Sequence, residues 1–274
     1  LETRPGIDAL SQGEFDRITE LAYRTCGIDL KNGKQELVQA RLGKKIREGK
    51  FGSFKQYYEH VVADKTGEEL IALLDALTTN FTSFLREAAH FDFLRKTIVP
   101  GLGGQIRIWS AACSTGEEPY TIAFSLLEEL GMAAASRIQI LGSDISSRAL
   151  AAAERGVYQA ERCRNLPGNW PGKYLLRGCG RWEGWFRVKP AIRGTIGFQR
   201  LNLMEQFHPE QPFHAIFCRN VMIYFNKDTQ EQLVNRFESC LLPGGYLLIG
   251  HSETLTGLKH PYEYIKPAVY RKPL

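Results

Sequence analysis

IRIWSAACSTGEEPYTIAFSLLEEL, residues Ile106 to Leu130, changes its period part-way along. Apolar residues alternate up to Trp109, small residues with a single glycine (Gly116) follow, and two carboxylates then open an apolar run of helical period. Pro119 stands in the first turn of that helix, where proline costs least. The pattern predicts a strand, a ligand-binding turn and a helix. Ser110, Ala111, Ala112, Cys113 and Ser114 carry little side chain, so a ligand can approach the backbone closely. Free N–H groups at a helix start suit phosphate, but Glu117 and Glu118 repel one. Neither the three-glycine dinucleotide fingerprint nor the glycine-lysine phosphate loop is present. The expected ligand is a nucleoside carrying an amine or a sulfonium, a description that S-adenosylmethionine fits. For either glutamate alone, compensation of the helix dipole is the simpler account.

Working outward, RIQILGSD (Arg137 to Asp144) is a short apolar strand ending in an acid. Ligands of open parallel sheets sit outside the carboxyl ends of the strands, where such an acid holds ribose hydroxyls. Asp144 equally suits a cap for the helix beginning near Ser146 and Ser147, and the residues leave both readings open. FHAIFCRN (Phe213 to Asn220) is another buried-strand run, and LLPGGYLLIG (Leu241 to Gly250) supplies a helix stop, a glycine turn and a further strand. Strands alternating with helices predict a parallel α/β sheet.

Residues 1–79 carry only helical signals. Ser11 and Glu14 form a capping-box signature, apolar residues recur at Phe15, Ile18, Leu21 and Ala22, and Gly27 is a stop. Further helices are expected over about Lys34 to Gly49, Ser53 to Ala63 and Glu68 to Leu77. Eight bases crowd Lys31 to Lys55 against Glu36 and Glu48, so the basicity is local. On a helix, Lys34, Arg41 and Lys45 share one face beside the inward stripe Val38, Leu42 and Ile46. Such a run is usually a solvated face, but its concentration also suits an acidic partner. The following LTTNFTSFLREAAHF (Leu77 to Phe91) sets polar residues among Phe81, Phe84 and Phe91. A plain linker needs no such aromatics. This one is expected to fold over the ligand and bring Arg86 to it.

Val157 to Arg200 holds Trp170, Trp182 and Trp185, with nine bases against Glu161 and Glu183. WFRV (Trp185 to Val188) and TIGFQRL (Thr195 to Leu201) predict a small antiparallel excursion from the main sheet. Its edge could add a partner peptide, although an ordinary edge ribbon explains the same residues more simply. Paired aromatics and Pro267 predict a final hairpin at the sheet edge. The 274 residues, 43% hydrophobic, suit two domains. With no signal-like start and no apolar run of spanning length, the chain is expected in the cytoplasm, without membrane insertion. Six cysteines without a Cys-x-x-Cys pair argue against disulfides and a thiolate zinc site, and no metal is expected.

Together LTTNFTSFLRE, WSAACSTGEEPY, GSDIS, LNL and FCRNVMIYF closely resemble the chemotaxis receptor methyltransferases, the CheR family. The similarity runs from about Glu14 to Tyr270. WSAACSTGEEPY and FCRNVMIYF are specific to that family, whereas Pro-Gly-Gly before a strand is generic to methyltransferases. The resemblance implies an N-terminal helical domain (1–79) and a Rossmann-like S-adenosylmethionine-dependent methyltransferase domain (80–274) with a β-subdomain at about 157–200. It implies methyl transfer to glutamate side chains on the helical bundle of methyl-accepting chemotaxis receptors, with S-adenosylhomocysteine as product. The cofactor contacts it implies are Asn80, Thr82, Arg86, Glu117, Asp144, Asn202, Leu203, Arg219 and Asn220. Arg86 and Tyr224 match the positions beside the reacting groups. The basic face of Lys34, Arg41 and Lys45 would then meet the receptor. Gly178 and Gly180 match a Gly-x-Gly loop with which some members hold a receptor's C-terminal pentapeptide.

Two other classes stay in view. Net charge +5 and two basic stretches also fit an RNA or small-molecule methyltransferase. Against it, Cys218-Arg219-Asn220-Val221 differs from the Asn/Asp-Pro-Pro-aromatic sequence of nucleobase amino-methyltransferases, so no nucleic acid partner is expected. A cofactor-sensing adaptor without turnover is the non-enzymatic option.

Overall fold

A computed structural model describes residues 9–30, 33–78 and 81–274. Lys31 of the basic run, Asn80 of the linker and the expected border at 79/80 therefore lie outside the described residues. The chain divides into two units, one ending before Phe81 but including Tyr224–Asn226, the other holding Phe81–Ile223 and Lys227–Leu274.

Four helices form the first unit: α1 (Gln12–Cys26), α2 (Gln35–Glu48), α3 (Phe54–Ala63) and α4 (Glu68–Leu77). Ser11 caps α1 through the expected box, with the Glu14 carboxylate accepting from Ser11 N–H at 3.0 Å, and Gly27 ends the helix at φ 74°. Ser53 caps α3 by accepting from Gln56 N–H at 3.1 Å. Each helix turns an apolar stripe inward, Phe15, Ile18 and Ala22 from α1, Val38, Leu42 and Ile46 from α2, and Leu73, Leu74 and Leu77 from α4. Residues 224–226 join this unit through Asp29 N–H, which donates to the Tyr224 carbonyl at 2.7 Å, and Asn226 Nδ2, which donates to Tyr23 Oη at 2.9 Å.

The second unit opens with α5 (Ala89–Phe93) and continues with β1 (Ile106–Ala111), α6 (Glu117–Leu130), β2 (Ile138–Asp144) and α7 (Ser147–Arg155). Next come β3 (Val157–Gln159), α8 (Trp170–Tyr174), β4 (Leu175–Arg177), β5 (Trp185–Val188), α9 (Pro190–Arg193) and β6 (Ile196–Arg200). It closes with β7 (Phe213–Cys218), α10 (Lys227–Cys240), β8 (Leu241–Ile249), β9 (Glu263–Lys266) and β10 (Val269–Arg271).

Seven strands make one sheet in the order β6-β2-β1-β7-β8-β10-β9. The first five run parallel, and β10 is antiparallel to both β8 and β9, the expected terminal hairpin. The parallel strands β1 and β7 are buried almost throughout, which is why they read as apolar runs. Trp109 anchors one face: its indole N–H donates to Ser143 Oγ at 2.9 Å, and its ring packs against Phe207, Phe213 and Phe237.

The excursion is a separate three-stranded antiparallel sheet, β3-β5-β4. WFRV is its central strand. TIGFQRL is not part of it: β6 pairs parallel with β2 and forms the edge of the main sheet. A short strand alternating Ile196 and Phe198 with polar residues has the same pattern in either sheet, and the crossover through α7, which packs on both β2 and β6, makes it parallel. All six cysteines are without disulfide bonds. Among the described residues, no helix is long and apolar enough to cross a membrane.

Candidate active site

Strand register gathers the functional residues. Ala111 lies opposite both Ser143 and Cys218, and Cys218 lies opposite Ile249. The residues following β1, β2, β7 and β8 thus emerge along one edge of the sheet. The chain winds from β1 towards β6 on one side and from β7 towards β9 on the other, so the switch point falls between β1 and β7.

The turn after β1 places Ala112 at φ 62°, Ser114 at φ 49° and Gly116 at φ 92°. Three left-handed residues share this turn, and only one of them is a glycine. Left-handed backbone costs on the order of 1 kcal/mol for a residue with a Cβ, so the surroundings must enforce it. They do so through Cys113 N–H, which donates to the Ser143 carbonyl at 2.9 Å, and Ser114 N–H, which donates to Asp144 Oδ2 at 2.8 Å. Gly116 has no substitute, because a Cβ there would stand 2.7 Å from Ala153 Cβ. Asp144 Oδ1 accepts from Ser146 N–H at 2.9 Å. The cap of α7 is Ser146, whose hydroxyl accepts from Ala149 N–H at 3.2 Å, so Asp144 ties two loops together instead of capping.

Glu117 opens α6 with its side chain fully buried. One oxygen, Oε2, accepts from the Thr115 hydroxyl at 2.7 Å, and the other forms an ion pair with Arg162. Burial pushes the carboxyl above its ordinary range, against the opposing pull of Thr115 and Arg162.

Beside it lies a second charged group. Arg219, buried at the end of β7, donates to Glu118 Oε2 at 2.9 Å, to Glu87 Oε2 at 3.0 Å and to the Arg86 carbonyl, with its guanidinium over the Phe91 ring. Glu118 also accepts from Ser110 Oγ at 2.7 Å. Glu87 sits on a strained turn, Leu85 at φ 55° and Glu87 at φ 57°, and accepts from Asn220 Nδ2 at 3.2 Å and His251 N–H at 3.1 Å. Burial opposes its charge, but Arg219 and these hydrogen bonds prevail and hold its carboxyl below the usual range. Asn220, itself at φ 60°, is fixed from below by Glu253, whose carboxylate accepts from the N–H groups of Gly250, Asn220 and Ile223 at 2.5, 3.0 and 3.2 Å. Glu87, His90 and His251 bring three potential metal-ligand atoms within 4.8 Å of one another.

Comparison with known proteins accords with this geometry. Residues 13–78 match the CheR methyltransferase all-alpha domain, and residues 80–270 match the CheR methyltransferase SAM binding domain. The chain belongs to the CheR methyltransferase family. It is 40% identical to the chemotaxis protein methyltransferase of Borreliella burgdorferi over 273 residues, 96% of this chain and 95% of that protein. Against the chemotaxis protein methyltransferase of Salmonella typhimurium it is 40% identical, covering 96% of this chain and 91% of that one. Against that of Escherichia coli it is 39% identical, with the same coverage. The second unit is a methyltransferase domain that binds S-adenosylmethionine.

Among the residues that the CheR resemblance implies, Glu117, Asp144, Arg219 and Asn220 lie along the one sheet edge. Asn202 and Leu203 follow β6, where Asn202 Oδ1 accepts from Met204 N–H at 3.0 Å and Leu203 is buried. Thr82 is half-buried in the segment before α5. Arg86 donates to the Phe81 carbonyl at 2.7 Å, beside an exposed Phe81 ring. Tyr224 belongs to the helical unit. Lys34, Arg41 and Lys45 are each half-buried. Arg41 donates to the Leu77 carbonyl and Lys34 to that of Asp29 at 3.4 Å, while Lys44 and Arg47 are exposed. Gly180 is left-handed at φ 58°, and a Cβ on Gly178 would collide with the Trp182 carbonyl at 2.1 Å. Sequence reasoning missed Glu87, Glu253 and Arg162. The signal for the first two was an acid directly after Arg86 and another just beyond the end of β8.

Proposed function

We propose that this chain transfers the methyl group of S-adenosylmethionine to glutamate side chains of chemotaxis receptors, giving methyl esters and S-adenosylhomocysteine. The observation that carries the reading is the pairing of a small-residue turn with the acids Glu117 and Asp144 at the ends of two neighbouring parallel strands. These residues fit the cofactor. The buried Glu117 carboxylate, held by Thr115 and Arg162, is an acid suited to an ammonium, and Asp144 suits ribose hydroxyls. When bound, the cofactor supplies an electrophilic methyl on a sulfonium. Asn80, Thr82, Asn202 and Leu203 complete its surroundings. The side chains of Arg219 and Asn220 are committed to Glu87 and Glu118, so the contribution of these two residues to binding is through the main chain.

A glutamate acceptor, with a pKa of about 4.3, is already ionised at neutral pH and needs no general base. Opposite charges neutralise as the methyl moves, so water would favour the reactants. Alignment and partial desolvation supply the acceleration, alignment being worth roughly 7 to 11 kcal/mol. Arg86 and Tyr224 position the reacting groups and exchange no protons. The basic residues of α2 dock the receptor's acidic helices. The free edge of β4, with Gly178, Gly180 and the half-exposed Trp182 beside it, offers a place for an acidic-aromatic receptor tail. The chain works in the cytoplasm and without a metal, since the carboxylate of the Glu87–His90–His251 group is taken by Arg219.

Labelled cofactor and receptor-containing membranes test the reading: base-labile methyl should appear on protein. Labelled RNA instead would establish the nucleic acid alternative, and binding without labelling an adaptor.

A further inference from the structure

Two histidines and a glutamate at the carboxyl ends of the strands have no part in the chemistry above. Glu87 lies just before α5, His90 lies within it, and His251 stands two residues beyond β8, all three in the second unit. His90 Nδ1 and His251 Nε2 lie 3.6 and 3.9 Å from the same oxygen, Glu87 Oε2, and the two rings meet edge to face at 4.7 Å between centroids. Two imidazoles and a carboxylate converging on one point are a donor set of zinc. A tetrahedral ion bonded at about 2.0–2.1 Å holds its ligand atoms about 3.3–3.5 Å apart, so both carboxylate distances need close only slightly. The His251 side chain, 49% exposed, has room to supply that movement.

His90 supplies an independent observation. Its side chain is buried, and neither ring nitrogen has a hydrogen-bond partner among the described residues. Buried nitrogens left unmatched cost free energy, and a metal on Nδ1 satisfies one of them. The carboxylate is equally prepared. Asn220 Nδ2 donates to its other oxygen, Oε1, at 3.2 Å, the kind of outer bond that orients a ligand binding through one oxygen. Arg219 Nη2 already holds Oε2 at 3.0 Å, so it competes with an ion for that oxygen. Displaced from Oε2, the guanidinium keeps Glu118 at 2.9 Å and the Arg86 carbonyl, and its charge stays paired.

We propose that Glu87, His90 and His251 bind a divalent transition metal of the Zn²⁺ class, with a fourth position open to solvent, and that this ion antagonises cofactor binding. Turnover needs no metal; the ion acts against it. By drawing Glu87 from Arg219 it removes one anchor of the Arg219–Asn220 segment, whose main chain faces the cofactor. The antagonism rests on the cofactor binding at this edge, as proposed above, whereas the metal site does not.

Titration of the full chain with Co²⁺ tests the site, in a Cys179→Ser background that removes the exposed thiol. One equivalent should develop the strong visible absorption of a four-coordinate ion, and Zn²⁺ should displace it. His251→Ala keeps the main-chain N–H that donates to Glu87 and should abolish the spectrum, as should His90→Gln. No such spectrum in the parent, or its persistence in His251→Ala, overturns the site. Calorimetry with S-adenosylhomocysteine tests the antagonism. Zn²⁺ should weaken that ligand roughly tenfold in the parent, reversibly on chelation, and leave His251→Ala unaffected. Unchanged affinity in the presence of Zn²⁺ overturns the antagonism. Failure of the parent to bind S-adenosylhomocysteine before any Zn²⁺ is added overturns instead the cofactor placement on which the antagonism rests.

Discussion

Acidification should destabilise the second unit through one residue, His90. Its side chain is 1% exposed, Nδ1 lies 3.6 Å from Glu87 Oε2, and neither ring nitrogen has a hydrogen-bond partner among the described residues. Burial, reinforced by the charges of Arg219, His251 and Lys266 and opposed by Glu87, lowers its pKa from 6.5 to about 3. The folded pKa lies below the unfolded one, so the unfolded chain takes up a proton that the folded chain refuses. The stabilisation is fully present above 6.5 and is lost as pH falls from there towards the folded value near 3. Going from about pH 7.5 to about pH 5, the loss comes to ~2 kcal/mol. The Glu87 carboxyl, held below its ordinary 4.5, loses stability in the same sense but at lower pH, outside most of this window. Chemical denaturation at the two pH values measures the loss, with His90→Gln as the reference that cannot titrate. The substitution lowers stability at both pH values, so the informative quantity is the difference in pH response. If parent and variant lose the same stability between the two conditions, the buried neutral imidazole is refuted.

Ala112→Gly should raise stability by about 0.5–1 kcal/mol by relieving the left-handed Cβ, whereas Gly116→Ala should cost more than about 2 kcal/mol through strain and collision with Ala153. Thermal unfolding checks both signs. Glu253→Gln replaces an acceptor of three backbone N–H groups by a group with one oxygen, costing about 1–3 kcal/mol, and should weaken S-adenosylhomocysteine binding by loosening Asn220. Full affinity in that variant would show the loop to be irrelevant to the cofactor. Arg86→Ala should cut turnover severely at saturating cofactor and Tyr224→Phe should lower it; parent-like rates would reduce both to packing residues. Charge reversal at Arg41 and Lys45 should weaken receptor methylation and its salt sensitivity while sparing cofactor affinity, and normal methylation at every ionic strength would leave a solvated face.

The sheet is legible in the sequence because a buried parallel strand must be apolar on both faces, and IRIWSA and FHAIFC have few other ways to be accommodated. The helices of the first unit are equally legible, since Ser11, Glu14 and Gly27 mark ends by local hydrogen bonding alone. TIGFQRL is where local pattern stops deciding. Its partner strand lies some fifty residues back, and parallel or antiparallel pairing depends on the crossover between them. The turn after β1 was legible as a turn, but not as a left-handed one, because Ala112 and Ser114 are held there by Ser143 and Asp144 from the neighbouring strand.

The same limit explains the candidate site. A motif shows which residues stand at strand ends, but not which side chains are consumed in holding one another. The CheR resemblance implies Arg219 as a cofactor contact, yet Glu87, far away in sequence, and Glu118 take two of its guanidinium nitrogens. Removing that charge from the ligand's reach leaves Glu117 and Asp144 as the groups that face the turn, with Arg162 at the rim. The edge of the sheet is then richer in carboxylates than in available bases. That balance favours a cationic donor over a phosphate-bearing one, and it follows from the long-range pairing of Arg219, not from the glutamates of the motif by themselves.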